Sequence, residues 1–143
     1  MPMRFLIVDD SEPVRQGLRT VLRANPEWEV CGEASDGLAA VEKLRDLHPH
    51  VVILDFKMPG INGLETARRM LEIAPAVPIV MLTQHASASL EEHAREVGIR
   101  SVVSKTDVFA MVSMIEELLG HRDLAPNIEK GATIAIACPK SNE

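Results

Sequence analysis

The sequence predicts an α/β fold built as a doubly wound parallel sheet, and three observations carry that prediction. Short β-rich runs recur every two dozen residues or so, amphipathic helical patterns fill the gaps between them, and three of the five runs lead straight into an Asp or Thr while the last reaches a Lys one residue on. With 143 residues, 46% hydrophobic and 25% charged, the composition is that of one globular domain.

The first strand is "RFLIV" at 4–8. Behind it Val14, Leu18, Val21 and Leu22 fall at i, i+4, i+7 and i+8, with Ser11 as N-cap and Pro13 in the first turn, where a missing N–H costs little. "EVCGEA" at 29–34 is the second strand, followed by Leu38, Val41, Leu44 and Leu47 as a helical stripe behind Asp36. "HVVIL" at 50–54 is the third, and Asn62 opens a helix bearing Leu64, Ala67, Met70 and Leu71. "PIVML" at 78–82 is the fourth, with Leu90, Ala94 and Val97 in a helix that stops at Gly98. "SVV" at 101–103 is the fifth. The last helix, opened by Thr106 or Asp107, carries Val108, Val112, Ile115 and Leu119 on one stripe and Met111, Met114 and Leu118 beside it. That arc is wider than one sheet contact requires, so it is either extra core or an interface.

Strands separated by helices need crossover connections, which makes the sheet parallel and covers both of its faces. Ligands in such sheets sit beyond the carboxyl ends of the strands, where the strand order reverses. Asp9 and Asp10 follow the first strand, Asp55 closes the third, Thr83 follows the fourth and Lys105 the fifth. Four loops therefore deliver one cluster to one rim.

The chemistry that suits this cluster is phosphoryl transfer to a carboxylate. Three neighbouring carboxylates repel one another unless a hard divalent cation compensates, and oxygen ligands with room for water suit Mg²⁺. Asp9 and Asp10 are the expected holders, which leaves Asp55 as the nucleophile that becomes an aspartyl phosphate. Lys105 supplies a point charge to one phosphoryl oxygen and the Thr83 hydroxyl a hydrogen bond to another. Gly60, Gly63 and Pro59 shape a tight loop after Asp55.

These residues resemble a known family. "VDD" at 8–10, "LDFKMPGINGLE" at 54–65, "MLT" at 81–83 and "SK" at 104–105 look like the receiver domain of two-component response regulators, over residues 4 to about 120. "CGEASDGLAAVEKL" at 31–44 and "KTD" at 105–107 further resemble the receivers of the NarL/LuxR-type branch. The resemblance implies a flavodoxin-like (CheY-like) five-stranded sheet of order 2-1-3-4-5. It also implies Mg²⁺ held by Asp10, Asp55 and the backbone carbonyl of Lys57, and phosphorylation of Asp55 by a histidine kinase or phosphotransfer protein. A homodimer or output partner would use the last strand and its two flanking helices.

Two positions depart from the family's pattern. Val102 stands where a Tyr or Phe usually rotates inward with the threonine, so any response would travel through the loop and helix after the fourth strand. Thr106 replaces the commoner proline after the lysine, which leaves the 105–106 peptide open between cis and trans, the cis form costing about 3 kcal/mol without proline. Lys57, Gln84 and His85 sit beside the rim, either as plain loop polarity or as groups that govern the approach of a hydrolytic water. "HPH" at 48–50 is read as a turn into the third strand, since no third metal ligand has the spacing.

The net charge of −6 and pI near 5.4 offer no basic surface for phosphates, so direct nucleic-acid binding by this chain is not expected. The apolar run Phe5 to Val8 is too short for a signal sequence, and no segment could span a bilayer, which points to the cytoplasm. Cys31 and Cys138 show no metal or redox spacing and read as small apolar fillers. Residues 1–120 form the expected receiver domain; residues 121–143 are a tail or linker, either disordered or an extra strand built on Ile134, Ile136 and Cys138. The leading function is a phosphorylation-controlled switch rather than an enzyme acting on an external substrate. Alternatives are a phosphorylation-independent scaffold, or the N-terminal fragment of a DNA-binding transcriptional regulator.

Overall fold

The computed structural model describes residues 2–123. Ten elements alternate: β1 (Met3–Val8), α1 (Glu12–Arg23), β2 (Trp28–Ala34), α2 (Gly37–Leu47), β3 (Val51–Asp55), α3 (Gly63–Ile73), β4 (Ile79–Thr83), α4 (Ala88–Val97), β5 (Ser101–Ser104) and α5 (Val108–Asp123). All strand pairs are parallel and the order is β2-β1-β3-β4-β5, as expected. The order reverses between β1 and β3, so the ends of those two strands flank the switch point.

Side-chain alternation divides the core between the two faces of the sheet. Leu6, Val8, Val52, Leu54, Ile79 and Met81 meet Ala40, Val41 and Leu44 of α2, Ala67 and Met70 of α3, and Leu90 and Ala94 of α4. On the other face, Leu18 and Leu22 of α1 are buried, and α1 lies along β1 and β2. Phe5 and Trp28 meet at 5.0 Å between ring centroids with a 48° tilt, an arrangement favoured by the ring quadrupoles. The compact unit that holds the sheet ends at Met111; from Val112 onward α5 belongs to a second unit, in which Ile115 and Leu119 are buried.

The caps read from the sequence close the helices. Ser11, Asp36 and Asn62 accept backbone N–H bonds from Val14, Ala39 and Glu65, and Asp107, not Thr106, caps α5 by accepting from Ala110. Ser87 caps α4, a role the sequence pattern did not single out. The third and fourth strands run one residue later than expected. At β3, His50 is occupied with Arg4, donating its N–H to the Arg4 carbonyl and accepting the Arg4 N–H at Nδ1. His48 adopts the left-handed conformation, φ 51°, at the end of α2. "HPH" is thus a turn, as expected.

Two apolar assignments need correction. Leu38 is 59% exposed: the buried stripe of α2 is Gly37, Ala40, Val41 and Leu44, which leaves Leu38 about 100° around the helix. Gly37 faces Thr66 and Ile61 so closely that a Cβ there would lie 2.2 Å from the Thr66 hydroxyl oxygen. Val108 is exposed at the first turn of α5, and the buried stripe runs through Met111, Ile115 and Leu119 instead. A bulge also interrupts the β1/β2 register, which passes from Phe5–Val30 to Leu6–Gly32 and leaves Cys31 unpaired and half-buried. Among the described residues no peptide bond is cis, so the 105–106 bond is trans. The proposed tail strand and Cys138 lie outside the described residues.

Glu33 on β2 accepts from Arg15 Nε at 3.0 Å and from Arg19 Nη1 at 2.6 and 2.7 Å. Burial disfavours its charge, but the two guanidiniums outweigh that and lower its pKa from the ordinary 4.5. A depressed carboxylate stabilises the fold above its unfolded-state pKa and loses that contribution as pH falls through the folded-state value. Glu33→Gln is therefore expected to cost about 1 kcal/mol at pH 7, the network being partly solvated. Urea titrations at a series of pH values should show the deficit closing below about pH 4.5; a deficit constant across that range would contradict the assignment.

Candidate functional site

The rim at the carboxyl ends of β1, β3, β4 and β5 gathers the residues that the sequence singled out. Asp55, the last residue of β3, is 3% exposed, and Asp9, the first after β1, is 1% exposed. Asp10 projects into solvent, yet one carboxylate oxygen from each of Asp9, Asp10 and Asp55 lies within 4.8 Å of the others. Thr83 ends β4 and is buried. Lys105 follows β5, and its backbone N–H donates to the Thr83 carbonyl at 2.8 Å, which extends the β4/β5 ladder by one step and sets the lysine at the rim.

The Lys105 ammonium stands 2.9 Å from Asp9 Oδ2 and 3.1 Å from Asp55 Oδ1. The contact to Asp9 is ionic rather than directional: Oδ2 is buried and has no hydrogen-bond donor in good geometry among the described residues. The other oxygen of Asp9 accepts the Ser11 N–H at 2.9 Å. Burial raises the Asp55 pKa above its ordinary value, and the Asp9 charge raises it further, against Lys105 and the backbone of Lys57, which pull it down. Burial lowers the Lys105 pKa, but the pull of the two carboxylates, Asp9 and Asp55, outweighs it, so the ammonium is held more strongly protonated than usual.

One cation for two buried carboxylates, with a third at the surface, leaves excess negative charge. Hard oxygen donors, an undonated Asp9 oxygen and one open side fit a hard divalent cation. A cleft of about 520 Å³ opens above, lined by Asp10, Asp55, Lys57, Thr83, Gln84, His85 and Lys105 among others. Every candidate residue except the deeper Asp9 reaches it. The Thr83 hydroxyl accepts the His85 N–H at 3.3 Å, which leaves its own O–H to donate into the cleft. The loop closing the cleft turns at Gly60, φ 81°, and returns over β3 at Gly63, whose N–H donates to the Phe56 carbonyl at 2.7 Å. A Cβ on Gly63 would lie 2.5 Å from the Asp55 carbonyl oxygen, so only glycine permits that return.

The sequence did not disclose what lies behind Asp9. Arg15, 15% exposed, donates to the Asp9 carbonyl at 2.6 Å while bound to Glu33. No local pattern announces a pair eighteen residues apart across two elements.

A parallel sheet of this order with a carboxylate-lysine cluster at its switch point defines an α/β signalling fold of the phosphoacceptor class. The chain belongs to the response regulator receiver domain family, which it matches over residues 5–116. It is 32% identical over 142 residues to the response regulator GacA of Pseudomonas viridiflava, covering 98% of this chain and 66% of that protein. It is 43% identical over 81 residues to a protein-glutamate methylesterase/protein-glutamine glutaminase of Pyrococcus abyssi, covering 57% of this chain and 22% of that protein. The chain spans between a fifth and a third of the length of the methylesterases it matches. Among solved structures, a LuxR-family two-component response regulator from Aurantimonas sp. SI85-9A1 superposes with a TM-score of 0.81 at 29% identity, covering 92% of this chain and 99% of that one. An aspartate phosphorylation site and Mg²⁺ binding are typical of the family, whose members interact with kinases or phosphotransfer proteins. No helix among the described residues is long and apolar enough to cross a membrane.

A carboxylate whose folded pKa is raised contributes stability below its unfolded value and loses it as pH rises through the folded value. Asp55→Asn is thus expected to stabilise the metal-free protein at pH 7 by roughly 0.5–2 kcal/mol, the gain shrinking towards pH 4. Thermal melts in chelator at both pH values check this; a destabilised variant at pH 7 would show that the Lys105 pairing outweighs burial and the Asp9 charge.

Proposed function

We propose that Asp55 accepts a phosphoryl group from a histidine kinase or phosphotransfer protein, and that the modified domain switches its binding to a partner or to itself. The observation that supports this most is the Lys105 ammonium shared by two buried carboxylates beside an open cleft. Asp55 Oδ attacks phosphorus as the donor's P–N bond breaks, the imidazole leaves, and an acyl phosphate remains on Asp55. Burial and the Asp9 charge make the Asp55 oxygen more basic, and so more nucleophilic, than an exposed carboxylate. Lys105 then pairs with one phosphoryl oxygen and the Thr83 O–H donates to another.

Asp9, Asp10, Asp55 and the Lys57 carbonyl would hold Mg²⁺. When bound, the ion offsets the charge that builds on the transferring group and draws in the donor's oxygens. Lys57, Gln84 and His85 border the cleft and would govern how water reaches the acyl phosphate. In this reading the chain is a phosphoacceptor and not an enzyme on an external substrate. It works in the cytoplasm, where ATP-charged kinases supply phosphohistidine. The partner surface would be β5 with its flanking helices, where Phe109 is 87% exposed at the start of α5.

One observation favours a second reading. Val102 is paired with Met81 and half-buried against the α2–α4 side of the sheet, with no ring to move when Thr83 moves. A phosphorylation signal must then run through residues 84–89, which are exposed; without such a response the domain is a scaffold.

Intact mass after incubation with acetyl phosphate should show one Mg²⁺-dependent phosphoryl adduct on the wild type and none on Asp55→Asn. Lys105→Ala should still accept phosphate, with amide chemical-shift changes on phosphorylation reduced several-fold. Full labelling of Asp55→Asn would place the acceptor elsewhere, and a folded wild type that binds Mg²⁺ but takes up no phosphate from donor or kinase would favour the scaffold.

A further inference from the structure

We infer that Arg15 is a positioning residue for the acidic site: braced by Glu33 and Glu12, its guanidinium fixes the Asp9–Asp10 peptide so that the Asp10 carboxylate stays at the cation-binding position. The inference rests on the reading of Asp9, Asp10 and Asp55 as a Mg²⁺ site.

Asp10 is the weak point of that site. Asp9 and Asp55 are buried and share Lys105, but Asp10 is exposed, and no hydrogen bond or ion pair to its side chain occurs among the described residues. Like-charge repulsion from two carboxylates within 4.8 Å pushes it towards solvent. Its direction is therefore set by its backbone. The peptide group is planar, so the orientation of the Asp9 carbonyl also fixes the Asp10 N and Cα. On the strand side, the Asp9 N–H is tied to the Ala34 carbonyl at 3.0 Å. On the loop side, Arg15 Nη1 holds the Asp9 carbonyl at 2.6 Å.

Arg15 can do this because it is itself held. It starts from the first turn of α1, whose N-cap Ser11 also gives its N–H to Asp9 Oδ1. Its Nε donates to Glu33 on β2 and its Nη2 to Glu12, so three nitrogens of one planar fork are fixed in three directions. Arg19 balances the remaining charge: two arginines meet two glutamates, and the cluster adds no net positive charge beside a cation site. A lysine could carry the charge but could not make the three bonds.

Outer-shell groups of this kind typically change metal affinity by about 10- to 100-fold when removed. Arg15→Ala should weaken Mg²⁺ binding about 10-fold, and Arg15→Lys should fail to restore it, as measured by calorimetric titration of Mg²⁺ and by Mn²⁺ electron paramagnetic resonance with Mg²⁺ competition. The acetyl phosphate labelling rate should drop at low Mg²⁺ and recover at saturating Mg²⁺. Arg19→Ala separates positioning from stability: it also strips Glu33 of a partner and should lower the melting temperature comparably, yet it should leave Mg²⁺ affinity within about 2-fold of wild type, because Arg15 keeps the Asp9 carbonyl. Wild-type affinity in Arg15→Ala, or an equal loss in Arg19→Ala, overturns the inference while leaving the site reading intact. A wild type that binds neither Mg²⁺ nor Mn²⁺ overturns both.

Discussion

The arrangement of this domain turns on one ammonium group between two buried carboxylates. Lys105 reaches Asp9 and Asp55 from the far side of the sheet, and without it two negative charges would sit unpaired beneath the rim at a cost of several kcal/mol. The strand order is what brings these groups together. Asp9 and Asp55 end neighbouring strands, whereas Lys105 must come across from β5, past β4, and the N–H bond from Lys105 to the Thr83 carbonyl fixes where its side chain starts. The pairing is deliberately incomplete in charge: one cation faces three acids. A fold optimised only for stability would replace one of them, and the raised pKa of Asp55 is the sign that burial and its neighbour disfavour its charge.

Close backbone packing around β3 supports that strained centre. Gly63 brings the start of α3 against the Asp55 carbonyl, and Gly37 brings α2 against Thr66 of α3. Both contacts exclude a Cβ, so the end of β3 is held by the start of α3, which is itself packed closely against α2. Opposite this, the β4–α4 loop is exposed, with Thr83 and Ser87 tying its ends. The site therefore has a rigid wall that carries the nucleophile candidate and a compliant wall that faces it, the distribution expected where a local charge change has to move something.

The sequence made much of this legible because strand ends are punctuated. Short continuous apolar runs that give way to Asp9, Asp55, Thr83 and Lys105 reveal both the sheet and the rim, and Ser11, Asp36, Asn62 and Asp107 mark four of the helix starts. What stayed hidden depends on distance in sequence or on exact helical phase. Leu38 fitted the i, i+3 spacing to Val41, but the close Gly37–Thr66 contact turns α2 so that Ala40 faces inward instead. The bulge at Cys31 leaves no trace in a strand that reads as continuous. The Arg15–Glu33 pair joins a helix to a strand across eighteen residues, and charges at such spacing are indistinguishable in sequence from solvated ones.

Phosphorylation of Asp55, on the proposed chemistry, would change the charge balance in a specific way. The acyl linkage removes the carboxylate charge nearest Lys105 and places a more negative group farther into the cleft. Lys105 would then be drawn outward, loosening its 2.9 Å contact with Asp9, whose Oδ2 has no other donor among the described residues. A buried carboxylate cannot be left bare without cost. A bound divalent cation at Asp9 and Asp10 would be what makes that movement tolerable, so metal and phosphate should favour each other's binding by linkage. Thr83 is buried at the same rim and can follow the phosphoryl group, and its hydroxyl now takes the His85 N–H at a long 3.3 Å. A contact that long restrains the hydroxyl only weakly, so its free O–H can swing to donate a charge-assisted bond to the phosphoryl group. With valine at position 102 the displaced loop gains no aromatic latch, so the size of the response must be set by residues 84–87 and by the seating of α4.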